Sequence, residues 1–552
     1  MLLQALGVAV LLAVTRAVWL ISRRAVVKSP LRNMPGPPST SWRTGHLGNL
    51  YNPYGMSWHH QLNQKYGGAV QINGIMGDEH IYVSDPKALH HICVRDQDNF
   101  EETAMFVQGN QIIFGDGLLS TLGDHHKKQR RILNPIFSTS HMRDMTPIFY
   151  EVVDKLVGLI NKKTSTGPAK MDILDLMMRT ALEGVGQGGL GHSFKTLEEG
   201  DGNSPFRIAL RSLIPTIFSL QIERQILPFI LGIGTKAFRR KLVDMTPSRR
   251  LHKLRDIVNT MHVTNTEVLE EKKAAFNRGD EKVLEQVGHG RDIVSVLLRA
   301  LEDVSDEDRL SDSEVLAHMT TLVFASHDTT SSTLAHIVHL LAIYPEVQEK
   351  LRKEIKDSKD AWEREHETGD RNLGYDTVSE LPFLEAVCRE TLRLEAPVTF
   401  MSRTAREPSV LPLWHPMTGS DGKTITEVPI AKNQNIIIGI AAADRDPEIW
   451  GPDAAEWKPE RWANGIPKLA ADAHLPGIYA GTMAFLGGGR GCIGIKFAQL
   501  EIKIIITMLL DNFKFSLSED EVVWKLANIQ MPWVEKTATN GPSLPLMISR
   551  LA

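Results

Sequence analysis

Apolar residues recur along most of this chain at the three-to-four spacing of helices, interrupted by a few short stretches where they alternate. Ala69–Asn73 and His80–Val83 read as short strands, with a helix over Asp85–Cys93 after them. Residues 140–300 read as successive amphipathic helices. A long helix is expected near Ser313–Ile343, another at Phe383–Leu394, and another in the apolar run Ile495–Leu510. Val428–Ala442 reads as strand and Met531–Leu551 as a terminal hairpin with a loop. Leu213–Leu220 and Ile226–Ile233 are greasy patches punctuated by proline and glycine, and the charged stretch Asn277–Arg291 reads as an exposed connection.

The N-terminal stretch departs from this pattern. Leu2–Ile21 is nearly continuous apolar sequence of about the ~20 residues that span a bilayer, with Arg16 near its far end. Arg23, Arg24, Lys28 and Arg32 follow, which places whatever comes after a membrane anchor on the cytoplasmic side. A cleaved signal peptide would carry basic residues before its apolar stretch and a small-residue cleavage site, and neither is evident. The expected organisation is an anchor over 1–22, a basic and proline-rich linker over 23–50 that includes Pro35-Gly-Pro-Pro38, and one catalytic unit over 51–552.

Composition narrows the classes. The 42% hydrophobic content suits a large core, and a net charge of −4 gives no argument for nucleic acid. Cys93, Cys388 and Cys492 are far apart and form no CxxC pair, so neither a disulfide framework nor a zinc site is expected. No Gly-rich strand-to-helix unit for nicotinamide or flavin is visible, nor are internal repeats.

Candidate chemistry concentrates at Phe485-Leu-Gly-Gly-Gly-Arg-Gly-Cys492-Ile-Gly494. The glycines let the backbone turn tightly and lie against something flat, and the helix that follows puts Cys492 beside orphan N–H groups that favour a thiolate. Such a sulfur beside Arg490 suits a ligand to haem iron. Phe485, Gly488, Arg490, Cys492 and Gly494 together resemble the haem-binding signature of the cytochrome P450 family.

Other stretches resemble the same family in the same order. Gly123–Ser138 carries His126 where members usually have tryptophan, and keeps Arg130; four apart on a helix, the two can reach one anion, the haem propionate of the family. Lys127, Lys128 and Arg131 are expected on the surface, open to an acidic reductase. Phe324-Ala325-Ser326-His327-Asp328-Thr329-Thr330 resembles the oxygen-activating segment, with serine at Ser326 where glycine is usual. This polar run predicts a distorted helix, with Ser326 bonding back to Leu322 and His327 on the surface or behind the site. The resemblance gives Thr329 the hydrogen bond to iron-bound oxygen, Asp328 a proton relay from solvent, and Phe324 and Ala325 a place against substrate. Glu390 and Arg393 are helical neighbours, and with Arg461 they resemble the family's structural triad. Arg403 then becomes a second propionate ligand, and Val398 and Thr399 face the substrate.

The resemblance implies a mainly α fold with small β-sheets (α+β), haem b on Cys492, dioxygen, and NADPH electrons from a membrane-bound cytochrome P450 reductase. It implies oxidation of a lipophilic small molecule at the endoplasmic reticulum membrane, in contact with lipid. The residues around Gly123–Pro135 are closest to fungal microsomal members of terpenoid, steroid-like or xenobiotic metabolism. In that family Leu213–Ile233 would be a substrate lid, whereas ordinary core helices fit the pattern equally well. A member that rearranges peroxides, a peroxygenase and a non-catalytic haem protein stay open as alternatives, although Asp328-Thr329 speaks against the first.

Overall fold

A computed structural model describes Thr15 and residues 29–198, 204–279, 290–302, 309–366, 371–535 and 541–551. The expected anchor Leu2–Ile21, apart from Thr15, and most of the connection Asn277–Arg291 lie outside these residues. Among the described residues no helix is long and apolar enough to cross a membrane.

The protein is mainly helical with small sheets. Its axis is the helix Asp312–Ile343, about 48 Å long at the α-helical rise. Ser311 and Glu314 cap its start reciprocally, which satisfies N–H groups the first turn would otherwise leave bare. This helix is buried along most of its length because it runs between Ile173–Gly184 on one side and Ile495–Asn512 on another. Ile495–Asn512 is apolar nearly all round, as a helix enclosed by protein must be.

Ala69–Asn73, Glu79–Val83, Asn435–Ile438, Met401–Ala405 and Phe100–Glu102 form one sheet in that order. Only the pair Glu79–Val83 and Asn435–Ile438 is parallel, and its strands read as Ile- and Val-rich runs buried on both faces. Residues 29–50 are not a free linker. Leu31, Met34, Leu47 and Leu50 are buried, and Gln71 N–H donates to the Pro35 carbonyl at 2.9 Å, so the folded body begins before Tyr51.

Two strand expectations need correction. Val428–Ala442 divides into the end of strand Thr424–Ile430, strand Asn435–Ile438 and the helical turn Ile440–Ala443. The terminal stretch is no single hairpin: Ile529–Val534 pairs with Val522–Ala527, whereas Pro545–Arg550 lies between Ala169–Asp172 and Phe513–Leu517. The greasy region also divides. Leu213, Ile214 and Ile217 are core, but Ile226, Phe229 and Ile233 face outward, Phe229 with 80% of its surface exposed.

Candidate active site

The cysteine loop is shaped by backbone contacts that exclude side chains. Gly488 has φ +66°, and a Cβ there would lie 1.7 Å from the Cys93 carbonyl oxygen; at Gly487 it would lie 1.9 Å from that of Pro476. Only glycine permits both approaches. Gly489 N–H donates to Gln97 Oε1 at 2.6 Å, Gly491 N–H to the Gly488 carbonyl at 3.1 Å, and Cys492 N–H to the Phe485 carbonyl at 2.9 Å. The chain then enters Ile495–Asn512 through Gly494. Cys492 is held from both sides by main-chain bonds.

A cavity of about 330 Å³ opens above it. Its walls carry Cys492, Phe485, Gly494, Arg490, His126 and Arg130 from the expected set, together with Ala325, Thr329 and Val398. The remaining lining is largely apolar, with Phe106, Leu118, Leu119, Met319, Leu322 and Met401 among it. Phe324 and Thr399, also expected against substrate, sit behind the wall: the Phe324 ring packs on Phe114 at 4.6 Å, and Thr399 is 1% exposed. Cys492 is exposed because the cavity reaches it, while protein encloses its other sides. Burial pushes its thiol above the ordinary range, against the Gly494 N–H and the Arg130 charge, which pull it down. The N–H at the helix start pulls toward the thiolate as expected, and burial opposes it; a metal cation on sulfur would tip the balance to the thiolate.

One flank of the cavity is cationic. Arg130 and Arg490 are held below the usual guanidinium range chiefly by burial. Arg490 donates to the Thr121 carbonyl at 3.0 Å, and neither has a carboxylate in hydrogen-bond contact among the described residues. Burial, then the charges of Arg490, Arg130 and Lys127, press His126 down to about 3, so it is a neutral imidazole. Arg403 is different: it is buried and donates to Glu102 at 2.7 Å. Glu102 itself lies on the wall, a participant that sequence reasoning missed, because a lone glutamate in a short strand carries no signal. Lys127 and Arg131 face outward as expected, and Lys127 bonds Asp98.

The central helix contributes one turn. Ala325, Ser326, Thr329 and Thr330 line the cavity, and the Thr329 hydroxyl donates to the Ala325 carbonyl at 2.6 Å. The helix runs unbroken through this segment, so the expected distortion is absent and Ser326 makes no bond to Leu322. Thr329 makes the back-bond instead. His327 is not on the surface; it is fully buried, its Nδ1 3.0 Å from Asp328 Oδ1.

Behind the loop, Glu390 takes hydrogen bonds from Arg393 at 2.9 and 2.8 Å, Arg461 at 3.1 Å, Lys458 N–H at 3.0 Å and Trp462 Nε1–H at 3.0 Å. Arg393 also reaches the carbonyls of Asp444, Ala454 and Glu456. The three expected residues thus meet, and they tie the helix Pro382–Leu394 to the segment 444–462.

A thiol on the wall, an apolar interior and two half-buried guanidiniums without a hydrogen-bonded carboxylate fit a flat, greasy, dicarboxylate metal complex such as haem. That donor set defines the class of haem-thiolate proteins. A model of the cytochrome P450 family matches residues 35–535. The chain is 46% identical over 536 residues to cytochrome P450 monooxygenase 91 of Postia placenta, covering 97% of each. It is 43% identical over 519 residues to monooxygenase 212 of the same fungus, covering 94% of this chain and 93% of the relative. A ganoderic acid synthetase of Ganoderma lucidum is 36% identical over 536 residues, 97% of this chain and 96% of that one. The chain belongs to the cytochrome P450 family, haem-thiolate proteins, and it groups with the family's monooxygenases.

Proposed function

We propose that this protein oxidises a lipophilic small molecule, with Cys492 as the residue that would ligate haem iron and NADPH electrons delivered by a separate membrane-bound reductase. The observation that carries this reading is a single apolar cavity with Cys492 and the Ala325–Thr330 turn on its walls. Haem b, when bound, supplies dioxygen activation and oxygen insertion into a C–H bond. Arg130, Arg490 and the neutral His126 would hold its carboxylates, and Arg403 serves that flank through Glu102. The apolar walls bind and orient the substrate and keep bulk water from the reacting bond. Thr329 holds a proton at Oγ1, committed to the Ala325 carbonyl until it is needed in the cavity, and Asp328 stores the next one.

Likeness to a ganoderic acid synthetase supports a terpenoid or steroid-like substrate. The apolar Leu2–Ile21 and the basic residues after it support an anchor in the endoplasmic reticulum membrane with a cytoplasmic body. The test is the membrane-bound full chain, reconstituted with reductase and NADPH and offered terpenoids and steroids, with products read by mass. A carbonyl spectrum of thiolate type and an oxygenated product are expected; an imidazole-type spectrum, or NADPH use without any product, refutes the reading. Thr329→Ala is expected to lower product per NADPH by at least about tenfold and to raise peroxide. Unchanged product yield per NADPH would remove Thr329 from its role.

A further inference from the structure

Two polar side chains on the cavity wall stand apart from the turn Ala325–Thr330 and have nothing to bond. His318 lines the cavity and is 7% exposed, and its Nε2 is buried without a partner. Thr321, a turn further along the same helix, also lines the cavity, and its hydroxyl is likewise buried and unpartnered. Thr320, Thr329 and Thr333 each donate to the carbonyl four residues back, at 2.9, 2.6 and 3.0 Å, the usual way for a threonine inside a helix to satisfy itself. Thr321 forgoes that bond. Thr330 Oγ1 is unpartnered too, but it belongs to the turn beside Thr329. Burial presses the His318 imidazole down to about 4 against the pull of Glu314, so the ring is neutral, with one nitrogen that donates and one that accepts. Buried polar atoms are costly to leave unpaired, and a pair of them on a cavity wall points to a guest that completes them.

We propose that His318 and Thr321 form a specificity site for one uncharged hydroxyl of the substrate, at the end remote from the bond that is oxidised. The hydroxyl donates to one of the two groups and accepts from the other, so a single oxygen satisfies both. A neutral imidazole and a threonine offer no counter-charge to a carboxylate. Glu314, the carboxylate that acts on His318, is already bonded by Ser311, Gln129 and His125, which leaves little for an ammonium. Met319 and Leu322, the adjoining wall, are apolar, so the skeleton that carries the hydroxyl must be apolar as well. Thr321 precedes Thr329 by about 12 Å along the axis at the α-helical rise. Reaction at the Ala325–Thr330 turn then falls on a carbon separated from the hydroxyl by the length of a fused steroid or triterpenoid skeleton. This rests on the haem-thiolate reading above, and it narrows the substrate from any lipophile to a lipophilic alcohol.

The test uses the full-length protein with androstanol, a steroid alcohol whose hydroxyl is on its first ring, and androstane, the same skeleton without it. Equilibrium dialysis of the labelled compounds gives dissociation constants with no turnover. The wild type is expected to hold the alcohol at least about tenfold more tightly than the hydrocarbon. His318→Phe and Thr321→Val are each expected to lose most of that difference by weakening the alcohol alone. Because the empty site carries unpaired atoms, both substitutions are also expected to raise the melting temperature, whereas loss of a structural partner lowers it. Equal binding of the two compounds by the wild type, an undiminished preference in both variants, or a melting temperature lowered in both overturns the proposal. A wild type without the thiolate carbonyl spectrum instead refutes the underlying reading, so the two failures are distinct.

Discussion

Cys492→Ala is expected to lose the thiolate carbonyl absorption completely while the chain remains folded. The loop is held by the main-chain bond from Cys492 N–H to the Phe485 carbonyl and by glycine contacts with Cys93 and Pro476, none of which needs the sulfur. No other thiol can take over. Cys93 and Cys388 are buried away from the cavity, and burial pushes their thiols up to about 11 and about 12. Oxidation should fall below detection, because the side chain that would hold the haem iron is gone. The reduced carbonyl difference spectrum, recorded beside circular dichroism, checks both halves. A thiolate spectrum from this variant would place the ligand elsewhere.

Arg393→Ala should be the most damaging substitution outside the cavity. Arg393 and Glu390 are both fully buried, and removing the cation strands a carboxylate together with the carbonyls of Asp444, Ala454 and Glu456. Breaking such a pair costs about 3–5 kcal/mol, enough to unfold many domains. Burial pushes the Glu390 carboxyl up, but Arg393, Arg461 and the Lys458 N–H outweigh it and hold the group below its ordinary value. A carboxyl depressed by folding contributes stability above the unfolded pKa, and that contribution fades as pH falls through the folded one. The wild type should therefore lose this support only in acid, whereas the variant lacks it at neutral pH. Thermal unfolding at neutral and acid pH tests this; equal stability of the two proteins at neutral pH would contradict it.

The sequence was most informative where a residue type is dictated by a local contact. The glycines before Cys492 announce a backbone pressed against other backbone, and Glu390 and Arg393 announce a pair because helix geometry makes them neighbours. It was least informative where the partner is distant in the chain. Glu102 meets Arg403 only because two strands pair antiparallel, and no local pattern foretells that. Pro545–Arg550 joins Ala169–Asp172 for the same reason, so a hairpin was the natural but mistaken expectation. In the polar run Phe324–Thr330 intrinsic preference predicts a distorted helix; packing along Ile173–Gly184 overrides it and keeps the helix regular. For His327 the sequence leaves the surface and a place behind the site both open, and its full burial beside Asp328 selects the second.

The ion pair between Arg403 and Glu102 also decides which guests the cavity can accept without an electrical penalty. Glu102 is hydrogen-bonded to Arg403, and His126 is uncharged, so Arg130 and Arg490 are the cations of that flank without a hydrogen-bonded carboxylate. A ring carrying a pair of free acids would make the enclosed space neutral, whereas its diester would leave both guanidiniums stranded in low dielectric. Charge balance on that flank would thereby favour a porphyrin diacid over its uncharged esters.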